Sequence, residues 1–102
     1  MATTWKIRNV MVYNTLDGNS DVIYLVNYNV TATDDNGNVY VLPEEAMIDT
    51  SSITDFVPFE DLTEEVVLGW VTTNLGTDVV AAIDQAAENA LSNMLNTSTK
   101  TL

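Results

Sequence analysis

The chain contains no cysteine and no histidine. Without cysteine there is no disulfide framework, no thiolate nucleophile and no Cys-ligated zinc. The absence of histidine removes Ser-His-Asp and Cys-His triads, the usual catalytic zinc sites and the commonest general base near neutral pH. Positive charge is almost as scarce: three Lys+Arg face fifteen Asp+Glu, for a formal net charge of -12. That balance repels a phosphate backbone and an anionic membrane surface, so direct nucleic-acid or lipid binding is not expected. No stretch approaches the roughly 18 apolar residues of a membrane span, and "MATTWKIRNV" has no apolar signal region, so synthesis in the cytoplasm is expected. What is present is ordinary globular material. The 102 residues are 46% hydrophobic, enough for one domain that buries roughly two-thirds of its unfolded surface.

The pattern changes once along the chain. Up to about residue 50 the apolar residues are β-branched or aromatic and the punctuation is Asn, Asp and Gly, a strand-and-hairpin composition. In "TWKIRNVMVY" strict alternation places Trp5, Ile7, Met11 and Tyr13 on one side, with Lys6, Arg8, Val10 and Val12 on the other. "VIYLVNYNVTAT" offers Tyr24, Val26, Tyr28, Val30 and Ala32 as its core side. "LDGNSD" and "DDNGN" are the intervening turns, and Asn36-Gly37 suits the positive φ angles of a type I′ turn. Pro43 puts the third strand, "VYVLPEEAMID", at a sheet edge. After about residue 60 the period is helical. Asp61 or Thr63 can cap a helix whose stripe is Leu62, Val66, Val67, Trp70 and Val71, and Gly76 ends it. A second helix from Thr77 or Asp78 aligns Val80, Ile83, Ala87, Ala90, Leu91 and Met94. The expectation is one α+β domain: a three-stranded antiparallel β-meander over 1–50, a connection at 51–61, two helices over 62–95 packed against the sheet, and a flexible tail at 96–102 that is mobile or partner-bound.

Candidate chemistry is sparse. "DGNSD" from Asp17 and "DDNGN" from Asp34 resemble calcium loops, but both have valine at the sixth position, where the turn of an EF-hand needs glycine, and so read as hairpin turns. The carboxylate pairs Glu44/Glu45, Glu60/Asp61 and Glu64/Glu65 could flank a glycosidic bond, yet a core this small rarely encloses the cleft such chemistry needs. They read as solvated or helix-capping groups. The sequons at Asn29 and Asn96 are incidental without a secretory signal. No catalytic, cofactor-binding or metal site is therefore expected. Trp70 is read as core. Trp5 is left open as a stacking surface, and Lys6 and Arg8 form the one local basic patch, which also reads as charge protecting a sheet edge. Trp5, Lys6 and Arg8 are the candidate partner-binding residues.

The segment "VPFEDLTEEVVLGWVTTNLG", followed by "VVAAIDQAAENAL", resembles a family of small proteins of tailed bacteriophages, including phages of cyanobacteria. The motif is carried here by Leu62, Thr63, Glu64, Glu65, Val67, Gly69 and Trp70, and "TTWKI" with the polar hairpins resembles the family's N-terminal strands. The resemblance implies a phage gene product, a component of the virion. The expected function is accordingly non-enzymatic: a small capsid decoration or cement protein, or a tail accessory subunit, whose partners are other phage structural proteins and whose interactions include self-association. The alternative is an acidic intracellular effector that mimics nucleic acid and blocks a host DNA-binding protein. A mimic requires carboxylates in rows at phosphate-like spacing, whereas a virion subunit can scatter them over turns and helix starts.

Overall fold

A computed structural model describes residues 1–50 and 56–102. Strand β1 (Ala2–Leu16) pairs antiparallel with β2 (Asn19–Thr33), which pairs antiparallel with β3 (Val39–Met47), in the order β1-β2-β3. A 3-10 turn at Phe59–Asp61 leads into helix α1 (Glu64–Leu75), followed at once by α2 (Thr77–Leu95). This is the α+β meander with two C-terminal helices that the change of period predicts. The expected connection at 51–61 lies partly outside the described residues.

The β1–β2 turn is where left-handed backbone is concentrated. Asp17 and Gly18 have φ of 50° and 81° between the Leu16↔Asn19 pair, the two positive angles of a type I′ turn, whose twist matches that of the strands. The type I′ expectation for Asn36-Gly37 is not met. Only Gly37 has positive φ there, because Asp34 organises a longer connection: its carbonyl accepts from Gly37 N–H at 3.3 Å, and its Oδ1 accepts from the N–H groups of Asn36 and Asn38.

The expected faces of β1 need correction, and the cause is a bulge. Ladder pairs run Ile7↔Tyr28 and then Asn9↔Asn27, leaving Arg8 as an extra residue; further along, Met11↔Leu25 is followed by Val12↔Ile23, leaving Tyr24 extra on β2. Each extra residue moves the alternation by one position. Trp5, Ile7, Val10 and Val12 consequently all pack against the core, while Met11 and Tyr13 are exposed. On β2 the core side is Ile23, Val26, Tyr28, Val30 and Ala32, and the expected Tyr24 instead stacks on Tyr13 at 4.4 Å.

The helices cover one face of the sheet. Val67 and Val71 of α1 and Ala87 and Leu91 of α2 are buried against that β2 surface, with Leu62, Trp70, Leu75 and Ile83 partly buried around them. Val66 and Met94, expected in the stripes, are exposed. Thr63 is the N-cap, accepting from Val66 N–H at 3.3 Å. Leu62 just before it and Val67 both join the core, the arrangement of a hydrophobic staple that sets how the chain enters the helix. Gly76, with φ 87° and ψ 158°, closes α1 and opens α2, and the axes turn by 106° across it. Among the described residues no single helix is long and apolar enough to cross a membrane. Because β3 is shorter than its neighbours, β1 and β2 continue past it as a two-stranded arm, and the molecule measures 61 × 29 × 21 Å.

Candidate interaction surface

Trp5 sits between the sheet and α2. Its ring stacks on Tyr28 (centroids 5.0 Å apart, planes 10° apart) and its Nε1–H donates to Asp84 Oδ1 at 2.7 Å; Thr3 Oγ1–H donates to the same oxygen at 2.9 Å. A half-buried carboxylate thereby ties the start of β1 to the middle of α2, and charge-assisted bonds of this kind are the stronger class. Asp84 is the residue that sequence reasoning missed. Its position on the polar flank of an amphipathic helix marks it as solvated, and nothing local indicates a tryptophan about eighty residues away. Beneath Trp5, Tyr28 is fully buried, and its hydroxyl has no hydrogen-bond partner among the described residues. Burial, with a smaller contribution from the charge of Glu44, pushes its pKa up to about 12.

The three candidate partner-binding residues do not share one surface. Trp5 faces α2. Lys6 pairs with Asn29 on the opposite side of the sheet and is exposed. Arg8 occupies the bulge, also exposed, and reaches past β2 to donate to the backbone carbonyl of Glu44 at 3.3 Å. The helix-free side that displays Lys6 is the larger feature. Reading the register across the strands, it presents Met11, Tyr13, Val39, Val41 and Met47, all exposed. Asn9 and Asn27 bridge the strands at its centre, Asn27 Nδ2–H donating to Asn9 Oδ1 at 2.7 Å. Among the described residues no helix covers this face. Its exposed apolar side chains fall in two groups, Val39 and Val41 at one end and Met11, Tyr13 and Met47 at the other, with Lys6, Asn29, Asn9, Asn27 and Glu45 between them. Apolar groups exposed in this way beside polar ones suit an interaction site. Both outer strands are edges, and β1 offers the longer one.

Apart from Glu45, in the row of Asn27, the carboxylates of the turns and helix starts lie elsewhere. Asp17 and Asp21 are at the tip of the arm, Asp34 and Asp35 in the β2–β3 turn, and Glu60, Asp61, Glu64 and Glu65 at the approach to α1. Asp34 is held below the ordinary carboxylate value of 3.8, first by the Asn38 side-chain amide and further by backbone N–H groups of Asn38 and Asn36, so its charge serves the turn. Among the described residues no three acidic side chains converge as metal ligands. β1, β2 and the segment leading into α1 line an open, mainly apolar groove of about 220 Å³, with Ile7, Val10, Ile23, Phe59, Glu64 and Val67 among its walls.

No curated protein and no solved structure shows a significant match to this chain. A family model does match, over residues 1–102, and its description is a domain of unknown function, DUF7936. Since that match spans the whole length, the chain belongs to the DUF7936 family.

Proposed function

We propose that this protein is a non-enzymatic structural subunit of a bacteriophage virion, a small capsid decoration or cement protein or a tail accessory subunit, that works by docking on other phage structural proteins. The observation that carries the docking role is the long β1 edge, an outer strand of the sheet that carries the exposed Lys6 and Arg8. An edge strand offers a partner backbone hydrogen bonds. The phage assignment rests on the resemblance of the Leu62–Trp70 helix start. The scatter of carboxylates over turns and helix starts, rather than in rows, favours this reading over nucleic-acid mimicry.

Mass spectrometry of purified particles is the test: the parent should co-purify with them in a fixed ratio to the major structural proteins. A variant carrying Lys6→Glu and Arg8→Glu and lacking residues 96–102 should fold, by circular dichroism, yet be missing from particles. Parental protein absent from particles but recovered in a salt-sensitive complex with a host DNA-binding protein would replace this reading with the mimic.

A further inference from the structure

We infer that the helix-free sheet face is a self-association surface, on which a second copy of this chain packs face to face about a two-fold axis running along β2. The charge map comes first. Among the described residues Glu45 is the one carboxylate that the ladder places on this face, against Lys6 and the bulged Arg8 that crosses it to the Glu44 carbonyl, so the face carries one net positive charge in a molecule of net charge -12. Two such molecules approaching on their acidic sides bring far more like charge together, at a cost that grows as water is removed.

The positions of Lys6 and Glu45 then select the occupant. Lys6 is on β1 in the row of Asn29, and Glu45 is on β3 in the row of Asn27. They flank β2 on opposite sides, separated along it by two residues, about 7 Å at the rise of a strand. A two-fold axis parallel to β2 lays β1 of one copy over β3 of the other. Each Lys6 ammonium then lies above the partner's β3, within side-chain reach of the partner's Glu45, and the contact occurs twice. This is the self-complementarity that an isologous interface requires. Among the described residues neither Lys6 nor Glu45 has a partner within its own chain. Around the pair, Val39 and Val41 at one end and Met11 and Met47 at the other supply the apolar contact. Aligned packing of two sheets at about 10 Å, with strands within about 30° of each other, is the common sandwich geometry.

The area is adequate. Three strands about 30 Å long, with β2 alone lying over its symmetry mate in the two-stranded arm, give a flat footprint of about 500 Å² at standard strand spacings. Corrugated by side chains, that approaches the roughly 800 Å² per partner of a stable interface.

Sedimentation velocity of the full chain over a concentration series at about 0.15 M salt tests the inference, with far-UV circular dichroism as the control on folding. The parent should show a reversible monomer–dimer equilibrium. Lys6→Glu and Glu45→Lys should each weaken dimerisation by about tenfold or more, as like charges meet twice across the axis, and the double variant should return to within about threefold of the parent. The single variants separate pairing from bulk charge. If only net charge mattered, Lys6→Glu, which adds two negative units, would weaken the dimer, and Glu45→Lys, which removes two, would strengthen it. Val41→Glu, or Met47→Glu should the first not fold, should give monomer. A parent that stays monomeric across the series, a Glu45→Lys variant that dimerises more tightly, or a dimer that survives both apolar-to-Glu changes overturns the inference. A monomeric parent that still co-purifies with particles would overturn it while leaving the virion reading in place.

Discussion

Replacing Tyr28 by Phe removes a hydroxyl that is buried without a partner, so the variant should be at least as stable as the parent; a loss of more than about 1 kcal/mol in urea unfolding would mean that the oxygen is bonded after all. The same residue governs the alkaline limb of stability. Its folded pKa of about 12 exceeds the ordinary 10.0, so the neutral phenol is the form that the fold prefers. That contribution is fully present below pH 10.0 and is lost as pH rises through about 12. Absorbance titration of phenolate should show a step near pH 12 in the parent that disappears in Tyr28→Phe. Asp34 works in the opposite sense: with its folded value below 3.8, what it contributes is present above that pH and fades as pH falls through the lower folded value. One layer above Tyr28, Trp5 and Asp84 form a pair whose coupling a double-mutant cycle can read. Trp5→Phe keeps an aromatic ring in place but not the N–H, Asp84→Ala removes the acceptor, and the interaction energy should fall between about 0.5 and 3 kcal/mol. Additive effects would show that the 2.7 Å contact does not hold β1 to α2.

At the scale of elements, two glycines separate backbone strain from space. An added Cβ meets nothing within 4 Å at either Gly69 or Gly76, yet only Gly76 has positive φ. Its φ 87°, ψ 158° lie in a region open essentially to glycine alone, so Gly76→Ala should cost about 1–3 kcal/mol. Gly69→Ala, on the exposed side of α1, should stabilise by about 0.4–1 kcal/mol. Thermal melts of the two variants should move in opposite directions; shifts of the same sign would refute the account of the α1–α2 corner. The elements also show what is legible in a sequence of this kind. Three strands, two helices, the Thr63 cap and the Gly76 break all follow from local period and punctuation, which act over a few residues. The facing of β1 does not, because nothing in "WKIRNVMVY" announces that Arg8 is left out of the ladder. The bulge is a property of the pair of strands, fixed once Ile7 and Val10 must both reach one core. Legibility of the candidate site is poorer for the same reason. Lys6 on an exposed strand can be read locally, but the Trp5–Asp84 contact and the scarcity of carboxylates on one sheet face depend on register and topology.

At the scale of the whole molecule, self-repulsion adds to the conformational entropy that opposes folding, because 102 residues carry a net charge of -12. Salt screens it: the Debye length falls from about 30 Å at 0.01 M to about 3 Å at 1 M. The melting temperature, taken at a protein concentration low enough to avoid association, should therefore rise with added NaCl over that range. A flat or falling trend would indicate that the acidic groups at the arm tip and at the start of α1 are too far apart to oppose folding. The 61 Å long axis bears on this, since an elongated body spreads its charge more thinly than a sphere of equal mass.

The two irregularities in the β1–β2 ladder behave like a dislocation and its opposite in a crystal row. Partner numbers sum to 35 from Ala2↔Thr33 to Ile7↔Tyr28, to 36 from Asn9↔Asn27 to Met11↔Leu25, and to 35 again from Val12↔Ile23 out to Leu16↔Asn19. The two ends of the β1–β2 ladder are thus in step, and only a three-pair window is slipped. Excising Arg8 alone, or Tyr24 alone, leaves one defect uncancelled, so that either the Asp17-Gly18 turn or the core-side residues must lose their places. Excising both annihilates the pair and leaves an unbroken alternation, with Trp5, Ile7, Val10 and Val12 still inward. The double deletion should therefore melt above either single deletion, an inversion of the usual rule that damage accumulates.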